Sequence, residues 1–172
     1  NVAGRDWPFF GFTEEGKVLY GRYADYTQMW PQLTQAMGLH CVLVENQRNV
    51  CTDTSTTRAP RTAVGVKQDG SIFFLTADGR QDSSEGLSLT ELADLMIKEG
   101  AVWAGNLDGG GSTTVVSREP GADALSVQNV PSDGSERRVA NGWIFVAPGS
   151  PTQAQMTAAQ HDLYGRVVSD TT

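Results

Sequence analysis

The stretch from Ile72 to Leu107 constrains the fold more than any other part of the sequence. It begins with an apolar run at 72–77 that predicts a strand. Ser88 then opens a Ser-x-x-Glu capping box, and the apolar stripe behind it predicts a helix over 88–98. A second apolar run at 101–107 predicts another strand. Strand, helix and strand in this order form a βαβ unit, whose strands run parallel through a right-handed crossover.

The rest of the chain is rich in predicted strands. The strand over 72–77 has apolar residues on both faces, which predicts a central position in a sheet covered on two sides. Other predicted elements are a hairpin over 9–12 and 18–20, a helical stretch over 23–37 interrupted at Pro31, and strands over 42–44, 61–66 and 138–146. These elements predict an α+β fold, a mixed twisted β-sheet with helices packed on it, including one βαβ unit. We expect one domain over 1–150 and a short helix and tail over 151–172.

Composition excludes several classes of function. With 172 residues, 39% of them hydrophobic, the chain can bury one substantial core. A net charge of −7 argues against a nucleic-acid partner, because phosphate backbones require a basic face. No apolar run approaches the roughly 20 residues of a membrane span. No His/Cys cluster has the spacing of zinc ligands, so we expect no metal and no cofactor.

Two cysteines lie across a hairpin-like segment. Cys41 and Cys51 flank the sequence VLVENQRNV, and a tight turn between them would bring the thiols close together. The sequence does not fix the register of that turn. A disulfide in an oxidising compartment and two buried free thiols therefore both remain open.

Two carboxylates follow the strands of the βαβ unit. Asp78 comes directly after the run at 72–77, and Asp108 follows the run at 101–107. Because the carboxyl ends of parallel strands meet at one sheet edge, we expect both side chains there. Neighbouring strands about 4.8 Å apart would place the carboxyl groups within roughly 5–10 Å, the range of carboxylate pairs in glycoside hydrolysis. The alternative is that both residues merely begin turns.

Three consecutive glycines follow Asp108 in the segment NLDGGGSTTVV. No lysine follows them, which excludes a Walker phosphate loop, and the dinucleotide fingerprint is also absent. The consecutive backbone N–H groups of Gly109, Gly110 and Gly111 are expected to form an anion nest, with the hydroxyls of Ser112 and Thr113 beside it. A simple glycine-rich turn is the alternative interpretation.

Three blocks in order resemble the phosphodiester glycosidase family over about residues 60–147. They are PRTAVGVKQDGSIFFLTADGR, GLSLTELADLMIKEGAVWAGNLDGGGSTTVV and NVPSDGSERRVANGWIFV. The family usually has an Asn-Gly-x-Phe-Phe-like strand near its start, to which WPFF at 7–10 is a partial counterpart. We therefore expect an N-terminal segment of the site, or a partner domain, to be missing from this chain.

The resemblance implies hydrolysis of a sugar-1-phosphodiester at the anomeric C1–O bond, with release of free sugar and a phosphomonoester. A phosphomonoester is a good leaving group, so a strong general acid is less necessary than in ordinary glycoside hydrolysis. The implied substrate is a sugar phosphate or glycan, and the implied location is extracellular or in the cell envelope. A non-catalytic glycan- or phosphosugar-binding module and a structural assembly domain of a larger protein remain alternatives.

The matched blocks also supply the candidate site residues. Guanidinium groups match phosphate oxygens, so the two arginines of the first block are predicted to bind phosphate, although each alone would be read as a surface ion pair. Residues of the third block are predicted to line the sugar pocket, with a turn followed by a strand edge as the alternative. The predicted catalytic residues are Asp108, Asp78 and Glu136, and the predicted binding residues are Arg61, Arg80, Gly109, Gly110, Gly111, Ser112, Thr113, Arg137 and Asn141.

Overall fold

A computed structural model describes residues 7–119 and 122–145, and the backbone of 160–161 and 167–169. Its helices are α1 (Tyr23–Met29) and α2 (Leu89–Lys98), with 3-10 turns at Trp30–Gln32 and Gly110–Ser112. Its strands are β1 (Phe9–Phe12), β2 (Val18–Gly21), β3 (Gln35–Gly38), β4 (Cys41–Glu45), β5 (Arg48–Asn49), β6 (Arg61–Lys67), β7 (Ile72–Ala77), β8 (Ala101–Asn106), β9 (Val116–Arg118), β10 (Leu125–Val127), β11 (Gln160–His161) and β12 (Val167–Ser169). The predicted α+β class is confirmed.

The main sheet has five strands in the order β5-β4-β8-β6-β7, and its neighbours pair antiparallel. The strands β7 and β8 run in the same direction because each is antiparallel to β6, which lies between them. The prediction that these two strands are neighbours is therefore wrong. A tight turn at Gly70, with φ of +83°, folds β7 back along β6, and the crossover through α2 places β8 on the other side of β6.

Both faces of the main sheet are covered. One face packs against α2 through an apolar cluster that includes Leu43, Leu92 and Met96. The other face packs against a three-stranded sheet of order β2-β1-β3, through a cluster that includes Phe10 and Trp103. This layering explains why β7 is apolar on both faces although it is an edge strand and not the predicted central one.

The helix α2 forms as its sequence predicts. The Glu91 N–H donates to Ser88 Oγ at 3.2 Å, and the Ser88 N–H donates to Glu91 Oε2 at 2.8 Å, which completes the capping box. Gly100 stands past the end with φ of +93°, a conformation that glycine adopts without steric penalty. The helix buries one face, formed by Leu89, Leu92, Ala93, Leu95 and Met96.

The predicted helical stretch over 23–37 is only half right. The helix α1 ends at Met29, Pro31 lies in the following 3-10 turn, and the chain then continues as β3. The strand β3 pairs with β1, and a Cβ atom added at Gly11 would lie unacceptably close to the Gln35 carbonyl oxygen. A ladder to β1 thus overrides the helical pattern, because glycine in β1 lets β3 approach.

The C-terminal predictions differ from the structure. Residues 138–145 form no strand, and 146 lies outside the described residues. The segment packs instead through aromatic rings, with Trp143 at 5.4 Å from Phe12 and Phe145 at 5.0 Å from Phe74. Trp143 is half-buried in these contacts, whereas Ile144 and Phe145 are exposed, so this apolar run does not require strand pairing. Within the predicted tail helix, the described parts are β11 and β12, which pair antiparallel, and the remainder lies outside the described residues.

The described part of the chain holds no helix with the length and apolar content needed to cross a membrane. Both cysteines are free thiols. Cys41 and Cys51 are half-buried against the cluster under α2, which corresponds to the second of the two arrangements that the sequence left open.

Candidate active site

Asp78 and Asp108 follow β7 and β8 at the same edge of the main sheet, as the crossover predicts. The first residue of β6, Arg61, lies at this edge too, because β6 runs in the opposite direction. The intervening β6 sets β7 and β8 two strand spacings apart, about 10 Å. The predicted separation of one spacing is therefore wrong, and the two carboxylates belong to strands on either side of Arg61.

The three glycines of the loop admit three different neighbours. A Cβ atom at Gly109 would lie 2.8 Å from the carbonyl oxygen of Pro60. Gly110 has φ of +61°, which favours glycine. A Cβ atom at Gly111 would collide with the side chains of Asp133 and Arg137. The approach of the Pro60 backbone thus favours glycine at 109 and the positive φ favours it at 110, whereas a Cβ atom at Gly111 would require the Asp133 and Arg137 side chains to move.

The predicted anion nest is not formed, because two of its donors are already used. The Gly109 N–H donates to Asp108 Oδ1 at 2.9 Å, and the Gly110 N–H donates to the Pro60 carbonyl at 2.8 Å. An anion near this loop would therefore meet side chains first. Ser112 is half-buried, and its hydroxyl makes no hydrogen bond within the described residues.

Thr113 supports the loop from inside. Its side chain is fully buried, and its Oγ1 lies 3.3 Å from Thr62 Oγ1. Its backbone N–H donates to the Gly110 carbonyl at 3.1 Å. These contacts leave the Thr113 hydroxyl facing the core, so the predicted direct contact with substrate is not available to it in this conformation.

The guanidinium of Arg80 lies next to Gly110. Its Nη1 atom would lie 3.3 Å from a Cβ atom added at Gly110. Arg80 is exposed, and within residues 7–119 and 122–145 no carboxylate forms an ion pair with it. Its φ of +59° is unusual for a residue with a side chain. The Arg80 N–H donates to the Glu85 carbonyl in a tight turn, and the exposed guanidinium is available to an anionic ligand.

Arg61 lies close enough to Arg80 for their charges to interact. Its Nε donates to the Leu87 carbonyl at 2.9 Å, and its Nη2 donates to the Thr57 carbonyl at 3.3 Å. Burial lowers the pKa of Arg61, the negative charge of Asp53 opposes that change, and the positive charge of Arg80 lowers the pKa further. Two neighbouring cations that repel each other create a positive potential favourable to phosphate.

The turn over 131–137 reaches the loop through an ion pair. Arg137 donates to Asp133 Oδ2 from Nε at 2.9 Å and from Nη2 at 2.6 Å, directly above Gly111. The sequence alone assigns no role to Asp133, because it does not show that Arg137 contacts it. Glu136 and Asn141 are exposed and make no hydrogen bond within the described residues, so the structure leaves their predicted roles untested.

Asp78 holds a second segment against the glycine loop. Its Oδ1 accepts from Asn129 Nδ2 at 2.8 Å, and its Oδ2 accepts from the Val130 N–H at 2.9 Å. Asn129 also accepts from the Val115 N–H and donates to the Thr113 carbonyl. Asn129 is the first residue of the third block that resembles the family, but the sequence does not show that its amide contacts Asp78, which lies 51 positions away. Both Asp78 oxygens are engaged, which favours a positioning role.

We expect Asp78→Ala to lower the free energy of unfolding by about 2 kcal/mol, because hydrogen bonds to a charged acceptor are lost. Hydrogen exchange at the Val130 amide should speed up, which amide NMR can follow directly. Asp123→Ala is the matched control, since Asp123 is exposed and makes no hydrogen bond among the described residues. Unchanged exchange at Val130 would contradict the positioning role.

A polar cleft of about 750 Å³ opens beside Arg80. Arg58 stands on its wall and bridges two carboxylates, with 3.0 Å between its Nη1 and Glu85 Oε2 and a second contact to Glu91. The residues that line it are polar or charged, namely Thr56, Arg58, Arg80, Gln81, Asp82 and Glu85. Since Arg58 is paired, Arg80 is the cation in this cleft that remains available to a ligand.

The Cys41 thiol lies behind the loop. Cys41 lies opposite Asn106 in the β4–β8 ladder, directly before the loop. Burial raises the pKa of Cys41 to about 11; the electrostatic interactions with Cys51 and Asp53 act in the same direction, and that with Arg61 opposes them. A thiol with this pKa is protonated at neutral pH, which argues against Cys41 as a nucleophile. Asn106 is 4% exposed, and its Oδ1 makes no hydrogen bond within the described residues.

The chain matches a family model and resembles several known proteins. The family model for phosphodiester glycosidases matches residues 1–146. Human N-acetylglucosamine-1-phosphodiester alpha-N-acetylglucosaminidase is 37% identical over 81 residues, which cover 42% of this chain and 16% of the human protein. The SPbeta prophage-derived uncharacterized protein YomE of Bacillus subtilis (strain 168) is 32% identical over 101 residues, which cover 59% of this chain and 15% of that protein.

A solved structure shares the fold. The catalytic domain of zebrafish N-acetylglucosamine-1-phosphodiester alpha-N-acetylglucosaminidase, auto-inhibited by its pro-peptide, superposes with a TM-score of 0.61 at 22% identity. The match covers 77% of this chain and 47% of the zebrafish chain. This chain thus spans about half of that solved domain and less than a fifth of the curated relatives above.

Proposed function

The chain belongs to the phosphodiester glycosidase family, and we propose that it hydrolyses a sugar-1-phosphodiester at the anomeric C1–O bond. The products are the free sugar and a phosphomonoester. The proposal includes the expected location, extracellular or in the cell envelope. The relatives named N-acetylglucosamine-1-phosphodiester alpha-N-acetylglucosaminidase support a sugar-phosphodiester substrate class.

One observation carries the proposal. The unpaired guanidinium of Arg80 lies against Gly110, two residues from the exposed carboxylate of Asp108. A cation and an anion beside the same glycine loop match the two charges that C1–O cleavage creates, negative on the departing phosphate and positive at C1. Either charged group alone would fit simple ligand binding as well as catalysis.

In the proposed reaction, Arg80 holds the phosphate and stabilises the charge that it gains as the C1–O bond breaks. Arg61 adds positive potential from the start of β6 but keeps its own hydrogen bonds to the backbone. Asp108 stabilises the positive charge that develops at C1 while water adds there. Glu136 is the remaining candidate to take the proton of that water, since Asp78 is engaged by Asn129 and Val130.

The polar cleft beside Arg80 is proposed to receive the group on the far side of the phosphate. Its lining of hydroxyl, amide and charged side chains suits a hydrophilic leaving group.

A labelling experiment tests which bond is cleaved, C1–O or P–O. The chain is incubated in oxygen-18 water with a panel of sugar-1-phosphodiesters, and the products are weighed by mass spectrometry. We expect the label in the free sugar and none in the phosphomonoester. Label in the phosphate would mean P–O cleavage and would make the protein a phosphodiesterase. Binding of a diester without release of sugar would favour the non-catalytic phosphosugar-binding module.

A further inference from the structure

A second cavity lies at the opposite end of the main sheet from the glycine loop. Its volume is about 310 Å³, at the lower end of the range for small-molecule sites. The turn between β4 and β5 forms one part of its rim, and Gln68, just after β6, forms another. The full length of β6, about 20 Å, separates this cavity from the glycine loop. The proposed hydrolysis makes no use of it.

The polar groups on the rim are uncharged or already paired. The side-chain amides of Asn46, Gln47 and Gln68 make no hydrogen bond within the described residues, and each offers two donors and one acceptor. The one acidic group, Glu45, accepts from Arg22 Nε at 3.0 Å, so its charge is balanced. Free amides without a free charge favour a neutral ligand rich in hydroxyl groups.

One wall of the cavity is aromatic. The Tyr20 ring lies 4.5 Å from the Trp103 ring at a tilt of 31°, and Trp103 stacks in turn on Phe10 at 6.5 Å. These contacts fix Tyr20 in place between the two sheets. An aromatic wall opposite several amides matches a sugar ring, which presents an apolar face of C–H groups and an edge of hydroxyls.

The turn on the rim keeps a side chain where glycine would be more stable. Asn46 and Gln47 have φ of 51° and 60°, and two-residue hairpin turns with this geometry favour Asn-Gly. The Gln47 N–H donates to the Val102 carbonyl at 3.2 Å, which fixes the turn beside β8. A glutamine retained in a left-handed conformation places its amide at the mouth of the cavity, and such local strain is a feature of ligand sites.

We propose that this cavity binds a neutral carbohydrate, with one pyranose ring against Tyr20 and its hydroxyls bonded to the amides of Gln47 and Gln68. It would be a glycan-binding site separate from the glycine loop, able to hold the chain on a glycan whether or not that glycan is cleaved.

The test is a titration of the full chain with N-acetylglucosamine, methyl glucoside and cellobiose, followed by NMR of the side-chain amides. We expect shifts at Gln47 and Gln68. Gln47→Gly should weaken binding roughly tenfold, as the loss of uncharged hydrogen bonds predicts, while the melting temperature stays constant or rises. Gln68→Ala should also weaken binding, and Gln28→Ala, at an exposed position on α1, should not.

Two results would overturn the proposal. One is the absence of shifts at these amides with all three sugars. The other is equal affinity of wild type, Gln47→Gly and Gln68→Ala, which would place any bound sugar elsewhere. Asp108→Asn is expected to leave this binding unchanged, so failure here and failure of the proposed hydrolysis are separate outcomes.

Discussion

Asp108→Asn should lower the rate of sugar release roughly 10²- to 10⁴-fold, the range for loss of a catalytic carboxylate. The substitution removes the charge proposed to stabilise C1 but keeps the side-chain oxygen that accepts from the Gly109 N–H at 2.9 Å. Asp108 is exposed, so its replacement should leave the melting temperature almost unchanged. Release of sugar is measured by mass spectrometry and unfolding by calorimetry.

Binding separates the chemical role of Asp108 from a role in affinity. Removing a negative charge beside a bound phosphate should leave the affinity for an unreactive phosphonate analogue unchanged or stronger. Asp69→Asn is a matched control, because the Asp69 carboxylate also accepts a local backbone N–H, that of Ser71 at 2.9 Å, at the far end of the sheet. An Asp108→Asn variant with near-normal turnover would remove Asp108 from the chemistry.

The sequence is sufficient to predict the elements whose signals are local. The helix α2 follows from its capping box and apolar stripe, and the hairpin of β1 and β2 follows from two apolar runs around a turn. The direction of β7 and β8 follows from the crossover alone. Each of these depends on residues close together in the chain, which is why the pattern is readable.

The order of the strands and the hydrogen bonds of the site depend on residues that are far apart in the chain. The apolar pattern does not predict that β6 lies between β7 and β8. A strand covered on both faces has the same sequence pattern at the edge of a sheet and in its centre. The bond from Asn129 to Asp78 joins residues 51 positions apart. The donors of Gly109 and Gly110 are used by Asp108 and Pro60, and only folding reveals this.

The site therefore differs from its prediction in how it would hold an anion. A glycine run suggests backbone donors, but in the folded chain the glycines give room to side chains, Arg80 at Gly110 and the pair of Asp133 and Arg137 at Gly111. In the proposed site, the guanidinium of Arg80 binds the phosphate in place of the N–H groups of the loop. Arg80 is therefore the residue whose removal should most weaken phosphate binding.

Replacing Arg80 should separate function from stability. We expect Arg80→Gln to lower sugar release roughly 10²- to 10³-fold, the effect of removing one preorganised donor from a developing anion. Its affinity for the phosphonate analogue should fall as well, because Arg80 would hold the phosphate before and during the reaction. Arg80 is exposed and has no ion-pair partner among the described residues, so the fold should not depend on it.

Arg80→Gly carries the argument further, because it also removes the strained conformation at φ of +59°. A side chain held there costs about 1 kcal/mol, partly offset by the greater entropy of glycine in the unfolded chain. The variant should therefore unfold at an equal or higher denaturant concentration than Arg80→Gln while releasing sugar equally slowly.

Arg48→Gln, on the exposed strand β5, controls for the loss of one positive charge. If Arg80→Gln kept its affinity for the analogue, the phosphate would have to be held by Arg61 or Arg137. If Arg80→Gly were clearly less stable than Arg80→Gln, the left-handed backbone of Arg80 would not lower stability, and the link between this strain and anion binding would be lost.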